Sequence, residues 1–168
     1  MRLPTMILVG ALLVSACAPL TQNARRPDSS VAATVVAPTP VTPAWMAADG
    51  AGETALIFGV LGGDTQLVLS CSMTPKTFKV VANGLSGEGW VAGDRAFLIV
   101  GTASFEAEAR PSGQGGARII EFSLPLTEGL IAALATAGPV RVNFKGRIQT
   151  APADAQLREL GQTCGLWI

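Results

Sequence analysis

Between Thr54 and Ile148 the chain alternates short apolar runs with glycine- or proline-bearing breaks, and the runs are strand-sized. Thr54–Leu61 (TALIFGVL) and Thr65–Cys71 (TQLVLSC) flank Gly62-Gly63-Asp64, a tight-turn signature, so the two are predicted to pair as a hairpin. Thr77–Ala82, Arg95–Val100, Ala103–Arg110 and Arg118–Leu124 give further strands. They are separated by a glycine-rich loop at Asn83–Gly89 (NGLSGEG) and a turn at Pro111–Gly116 (PSGQGG). Pro139–Ile148 (PVRVNFKGRI) is predicted to be a last long strand.

Helical periodicity occurs twice. Leu126–Thr136 sets Leu126, Leu130, Ile131 and Leu134 on one face, and Gly138-Pro139 stops it. Asp154 is placed to cap a helix over Ala155–Leu160, with Gly161 as its terminator. Six or seven strands with one or two short helices predict a mainly β (α+β) fold, a compact antiparallel β-sandwich or open barrel. No internal repeat is present.

The N-terminus follows another pattern. Arg2 precedes Met6–Val14 (MILVGALLV), an uninterrupted apolar run of nine residues. A membrane-spanning helix needs about 20 apolar residues, so this run suits the core of a signal peptide. Small residues follow at Ser15 and Ala16, then Cys17. The segment Leu13-Val14-Ser15-Ala16-Cys17 resembles the lipobox of bacterial lipoproteins, with Val14 where leucine is commoner. The resemblance implies removal of residues 1–16, thioether attachment of a diacylglycerol to Cys17, and acylation of the new amine, for example by palmitate. Ala18 lacks the aspartate tied to inner-membrane retention, which by the same resemblance implies an outer-membrane anchor facing the periplasm. Ala16-Cys17-Ala18 also fits an A-x-A cleavage site, the reading in which the signal is ordinary and the cysteine incidental.

Residues 17–44 carry Pro19, Pro27, Pro38, Pro40 and Pro43 among Ala, Thr, Val and Ser, with no period of strand or helix. This is the composition of a tether, whose residues 18–43 reach ~80 Å as polyproline II at about 3.1 Å per residue. Arg25-Arg26 within it are either solvated charges or a contact with lipid head groups. The globular domain is placed at 45–168.

With Cys17 lipidated, Cys71 and Cys164 remain. An even pair carried into an oxidising compartment is expected to form a disulfide, pinning the C-terminal segment onto the first hairpin. Two reactive or metal-binding thiols are the alternative; the wide spacing and the lack of any C-x-x-C argue against it.

Composition mostly excludes. Formal net charge is zero, and loss of residues 1–16 leaves 11 of the 12 basic side chains against 12 acidic ones. No general field draws the surface to nucleic acid. There is no histidine, so Ser-His-Asp and Cys-His catalysis are ruled out and the commonest transition-metal ligand is missing. The glycine-rich stretches lack a following Lys-Ser/Thr and helix start, so neither is a phosphate cradle. No calcium-loop spacing occurs.

The last predicted strand offers the main chemical pattern. Alternation puts Val140, Val142 and Phe144 on one face and Arg141, Asn143, Lys145 and Arg147 on the other. A row of three cations suits an anionic ligand, such as a lipopolysaccharide phosphate or a peptidoglycan carboxylate. Cross-strand ion pairs with Glu106, Glu108 and Glu121 would satisfy the same charges, and the solvated-face reading is preferred. Glu106 and Glu108 at i and i+2 of a strand lie about 6.5–7 Å apart, within the spacing of an inverting glycosidase. With aromatics at only 5 %, no stacking platform accompanies them. Trp45, Trp90 and Trp167 are either a binding patch or core packing.

The domain also has the general look of small envelope proteins of alphaproteobacteria, with a tryptophan near the domain start, one mid-chain cysteine and another near the end. It shares size, anchoring and β-content with periplasmic lysozyme inhibitors, but none of their motifs. The expectation is a non-catalytic, membrane-anchored binding or interaction module without cofactor or metal. Its partner would be an envelope protein or a cell-wall or lipopolysaccharide ligand. The alternatives are an inhibitor-like or accessory subunit of an envelope enzyme or secretion complex, and a carboxylate-based hydrolase.

Overall fold

A computed structural model describes residues 41–50, 52–85, 91, 93–112 and 119–168. The predicted signal segment, Cys17, nearly all of the tether, Trp90 and parts of both glycine-rich stretches lie outside the described residues. The described residues belong to one unit, Thr39–Ile168.

Along that unit run β1 (Ala44–Gly50), β2 (Glu53–Gly59), β3 (Thr65–Met73), β4 (Lys76–Asn83), β5 (Arg95–Val100), β6 (Ala103–Glu108), β7 (Arg110–Ser112) and β8 (Ile119–Pro125). Then come α1 (Glu128–Ala135), β9 (Val140–Phe144), β10 (Arg147–Ala151) and α2 (Ala155–Gly165). Two antiparallel sheets result, ordered β1-β2-β3-β4-β8-β7 and β10-β9-β5-β6. The predicted class holds: this is a mainly β sandwich with two short helices, and neither sheet closes on itself.

Register explains the core. Phe58, Leu67 and Ala82 stand opposite one another, as do Leu56, Leu69, Val80 and Phe122 in the next row. All are buried, as are Leu98, Val100, Val140, Val142 and Phe144 on the facing sheet. The first sheet also carries apolar residues outward: Met46, Ile57, Val68 and Val81 form one half-buried row across β1–β4. That second row is why these strands read as near-continuous apolar runs rather than strict alternation.

β1 had no counterpart in the sequence pattern. AWMAADG has no β-branched residue, and although Trp45 onwards is placed in the globular domain, no element is predicted there. Pairing along its whole length with β2 makes it a strand, and Trp45 fastens it. The indole packs at 5.2 Å from the Phe58 ring and donates from Nε1 to the Pro152 carbonyl at 2.9 Å.

The predicted last long strand is corrected. The chain folds back at Lys145-Gly146, with φ of 50° and 78°, and Phe144 stands opposite Arg147. Two left-handed residues in a two-residue loop are what a twisted hairpin requires. Pro111 and Ser112, expected in a turn, instead pair with Ile120 and Ile119 as β7.

Both helices form where predicted. Thr127 caps α1, accepting from the Leu130 N–H, and Asp154 caps α2, accepting from the Gln156 N–H at 2.9 Å. The predicted end of α2 at Gly161 is corrected. The helix continues to Gly165 and buries Leu157, Leu160, Gly161 and Cys164, a stripe at i, i+3, i+4 and i+7. Gly161 is there for contact: a Cβ on it would stand 2.9 Å from the Cβ of Leu134 on α1.

Candidate functional site

Cys71 points from β3 into the core and Cys164 points from α2 to meet it; both are fully buried. The sulfurs are 2.13 Å apart and the Cα atoms 5.9 Å apart. The second distance lies within the roughly 4.4–6.8 Å a disulfide spans. The pair ties α2 to the sheet that contains the first hairpin.

The hairpin at Lys145-Gly146 separates the cations that the sequence set in one row. Arg141 stays on the exposed face of β9. Arg147, opposite the buried Phe144, lies on the core side of its sheet at the exposed rim. Lys145 sits in the turn, with Nζ 2.6 Å from the Asp94 carboxylate. That ammonium, donating to the carboxylate, and the Val91 N–H, donating at 2.8 Å, hold the Asp94 carboxyl below its ordinary value of 3.8.

The glutamates find other partners. Glu106 receives Arg95 Nε at 2.8 Å from the neighbouring β5, and Glu121 receives Lys79 Nζ at 3.1 Å from β4. Both are diagonal cross-strand ion pairs on exposed surface, each worth about 0.2–1 kcal/mol at most. Glu108 instead lines a groove of about 230 Å³ with Arg110, Glu121, Phe122 and Ser123. Of the tryptophans, Trp45 is core and Trp167 half-buried against it. Among the described residues no group of three His, Cys, Asp or Glu is placed to hold a metal ion.

A recess lined by residues of both sheets lies at the end where β3 begins and β4 ends. It has a volume of about 490 Å³, within the roughly 300–1,000 Å³ usual for small-ligand sites. Gln66 of β3, Asn83 of β4 and Gln149 of β10 bring three carboxamides into it, joined by Asp64, Thr65, Gly84 and Ile119. A break in register creates the site. Phe58 pairs with Leu67 but Gly59 with Thr65, so Gln66 has no partner on β2. Such a bulge re-aims a side chain. Gln66 Oε1 accepts from Gln149 Nε2 at 3.0 Å, a bond between the two sheets. Asn83 Nδ2 donates to the Thr65 carbonyl, while its Oδ1 is buried without a partner among the described residues.

None of Gln66, Asn83 and Gln149 was singled out from sequence. Their signal is faint: uncharged amides with no charge or period to mark them, the two glutamines that bond being separated by 83 in sequence. Compared with protein-family models, with curated proteins and with solved structures, the chain matches none.

Proposed function

We propose that the chain is an exported, lipid-anchored binding module of the bacterial envelope, held by an acylated Cys17 and facing the periplasm from the outer membrane. The observation that carries this reading is the buried Cys71–Cys164 pair at bonding distance. Such bonds persist in oxidising compartments and are rare where glutathione and thioredoxin act. It agrees with the lipobox-like Leu13–Cys17 segment and gives the domain a fastening suited to life outside the cytoplasm. The cleft between the sheets supports binding rather than turnover: its described lining offers hydrogen bonds from neutral amides and a single carboxylate, with no paired acid and base.

Metabolic labelling with a tagged palmitate tests the anchor. The wild-type chain is expected to take the label and to fractionate with membranes. Cys17→Ser is expected to take none and to accumulate with residues 1–16 attached. An unlabelled wild-type chain in the cytosolic fraction would overturn the reading.

A further inference from the structure

We propose that the cleft formed by Gln66, Asn83, Gln149 and Asp64 binds an extended peptide segment carrying a basic group. The proposal rests on the reading of the chain as a binding module and names the ligand of its cleft.

The hydrogen-bonding inventory points to amides. Each carboxamide has two N–H donors and one carbonyl acceptor, the pair that a peptide group presents in return. The Gln149-to-Gln66 bond at 3.0 Å fixes the two amides against each other. It uses a donor of Gln149 and the acceptor of Gln66, leaving the Gln66 amino group and the Gln149 carbonyl as a donor–acceptor doublet. On the strand beside Gln66, Asn83 is held by the Thr65 carbonyl, and its buried Oδ1 accepts nothing from the described residues.

Electrostatics choose the charge. Asp64 is the only ionisable side chain among the described lining residues, and no Lys or Arg is among them. A phosphate or carboxylate ligand would meet repulsion there, and an ammonium or guanidinium would meet attraction. Shape disfavours a glycan. The described lining contains Ile119 but no aromatic ring, so a sugar face has nothing to stack on.

The test uses the full-length protein, isotope-labelled and purified in detergent, with the side-chain amide resonances of Gln66, Asn83 and Gln149 followed by NMR. Three probes are titrated: a blocked tripeptide with a central lysine, the same peptide with a central glutamate, and an N-acetylglucosamine tetramer. The lysine peptide is expected to shift all three amides and to bind about tenfold tighter than the glutamate peptide. Asp64→Asn is expected to erase that preference, and Gln149→Ala to weaken the lysine peptide about fivefold while resonances elsewhere stay in place. Shifts caused by the sugar tetramer and by neither peptide would overturn the proposal. So would equal binding of the two peptides, or no shift with any probe. A chain that is acylated at Cys17 yet ignores both peptides loses the cleft assignment and keeps the anchored module. A chain that binds the lysine peptide but takes no acyl group does the reverse.

Discussion

Lys145 shows how one residue's backbone changes its chemistry. Read in a strand it is the middle cation of a row of three; in the structure its φ of 50° puts it in a turn, where it pairs with Asp94. Lysine-glycine lacks the asparagine or aspartate that usually announces such a turn, which is why the hairpin was not legible. The Asp94 carboxyl is lowered by its partner Lys145 and the Val91 N–H. A group titrating lower in the folded chain than in the unfolded one adds stability above its unfolded value, and that stability is lost as pH falls through the folded one. Asp94→Asn is therefore expected to lower the thermal midpoint at neutral pH. Its deficit should shrink once pH falls below the ordinary 3.8. Gly161 was misread for a different reason, since sequence shows a helix breaker and not the neighbour pressed against it. Gly161→Ala gains helix propensity but meets Leu134 at 2.9 Å, and a net loss on the order of 1 kcal/mol is expected in urea unfolding. Gly129→Ala, with nothing within 4 Å, should gain about 0.5–1 kcal/mol in the same assay.

At the level of elements, α2 and β3 are joined by the cysteine pair across a sequence separation of 93. In the chain-entropy view a loop of that size stabilises by about 4–5 kcal/mol, by limiting the unfolded chain. Replacing both Cys71 and Cys164 by alanine should lower the unfolding free energy by about that amount or more, because two fully buried side chains are also truncated. Unfolding in denaturant, with the wild type under non-reducing conditions as reference, measures it. The pairing was legible because only two cysteines remain after Cys17. The β2–β3 hairpin was legible because Gly62-Gly63-Asp64 separates two apolar runs. β1 was not, since its residues are small and mixed and become a strand only by pairing with β2 and by the Trp45 bond to Pro152.

For the molecule as a whole, the sandwich follows from short apolar runs that must bury one face each, and two sheets with two helices on one core satisfy them all. The cleft does not follow from any run. It exists because a bulge frees Gln66 and because β10, unseen in the sequence, turns Gln149 towards it. Long-range assembly of neutral side chains leaves no periodic trace, whereas charges do, and Lys145, Glu106 and Glu121 proved to be ion-paired at the surface. The cation row read from Arg141, Lys145 and Arg147 is split between two faces and a turn. The claim that governs all of this is that the domain works outside the cytoplasm, fastened at one end by lipid and internally by sulfur. Mass spectrometry of the native protein, digested without reduction, reads both at once. The expected spectrum has a first peptide beginning at Cys17 with an added acyl mass, and a cross-linked species joining the Cys71 and Cys164 peptides. A chain beginning at Met1 with Cys17 unmodified, together with free thiols at Cys71 and Cys164, would contradict it.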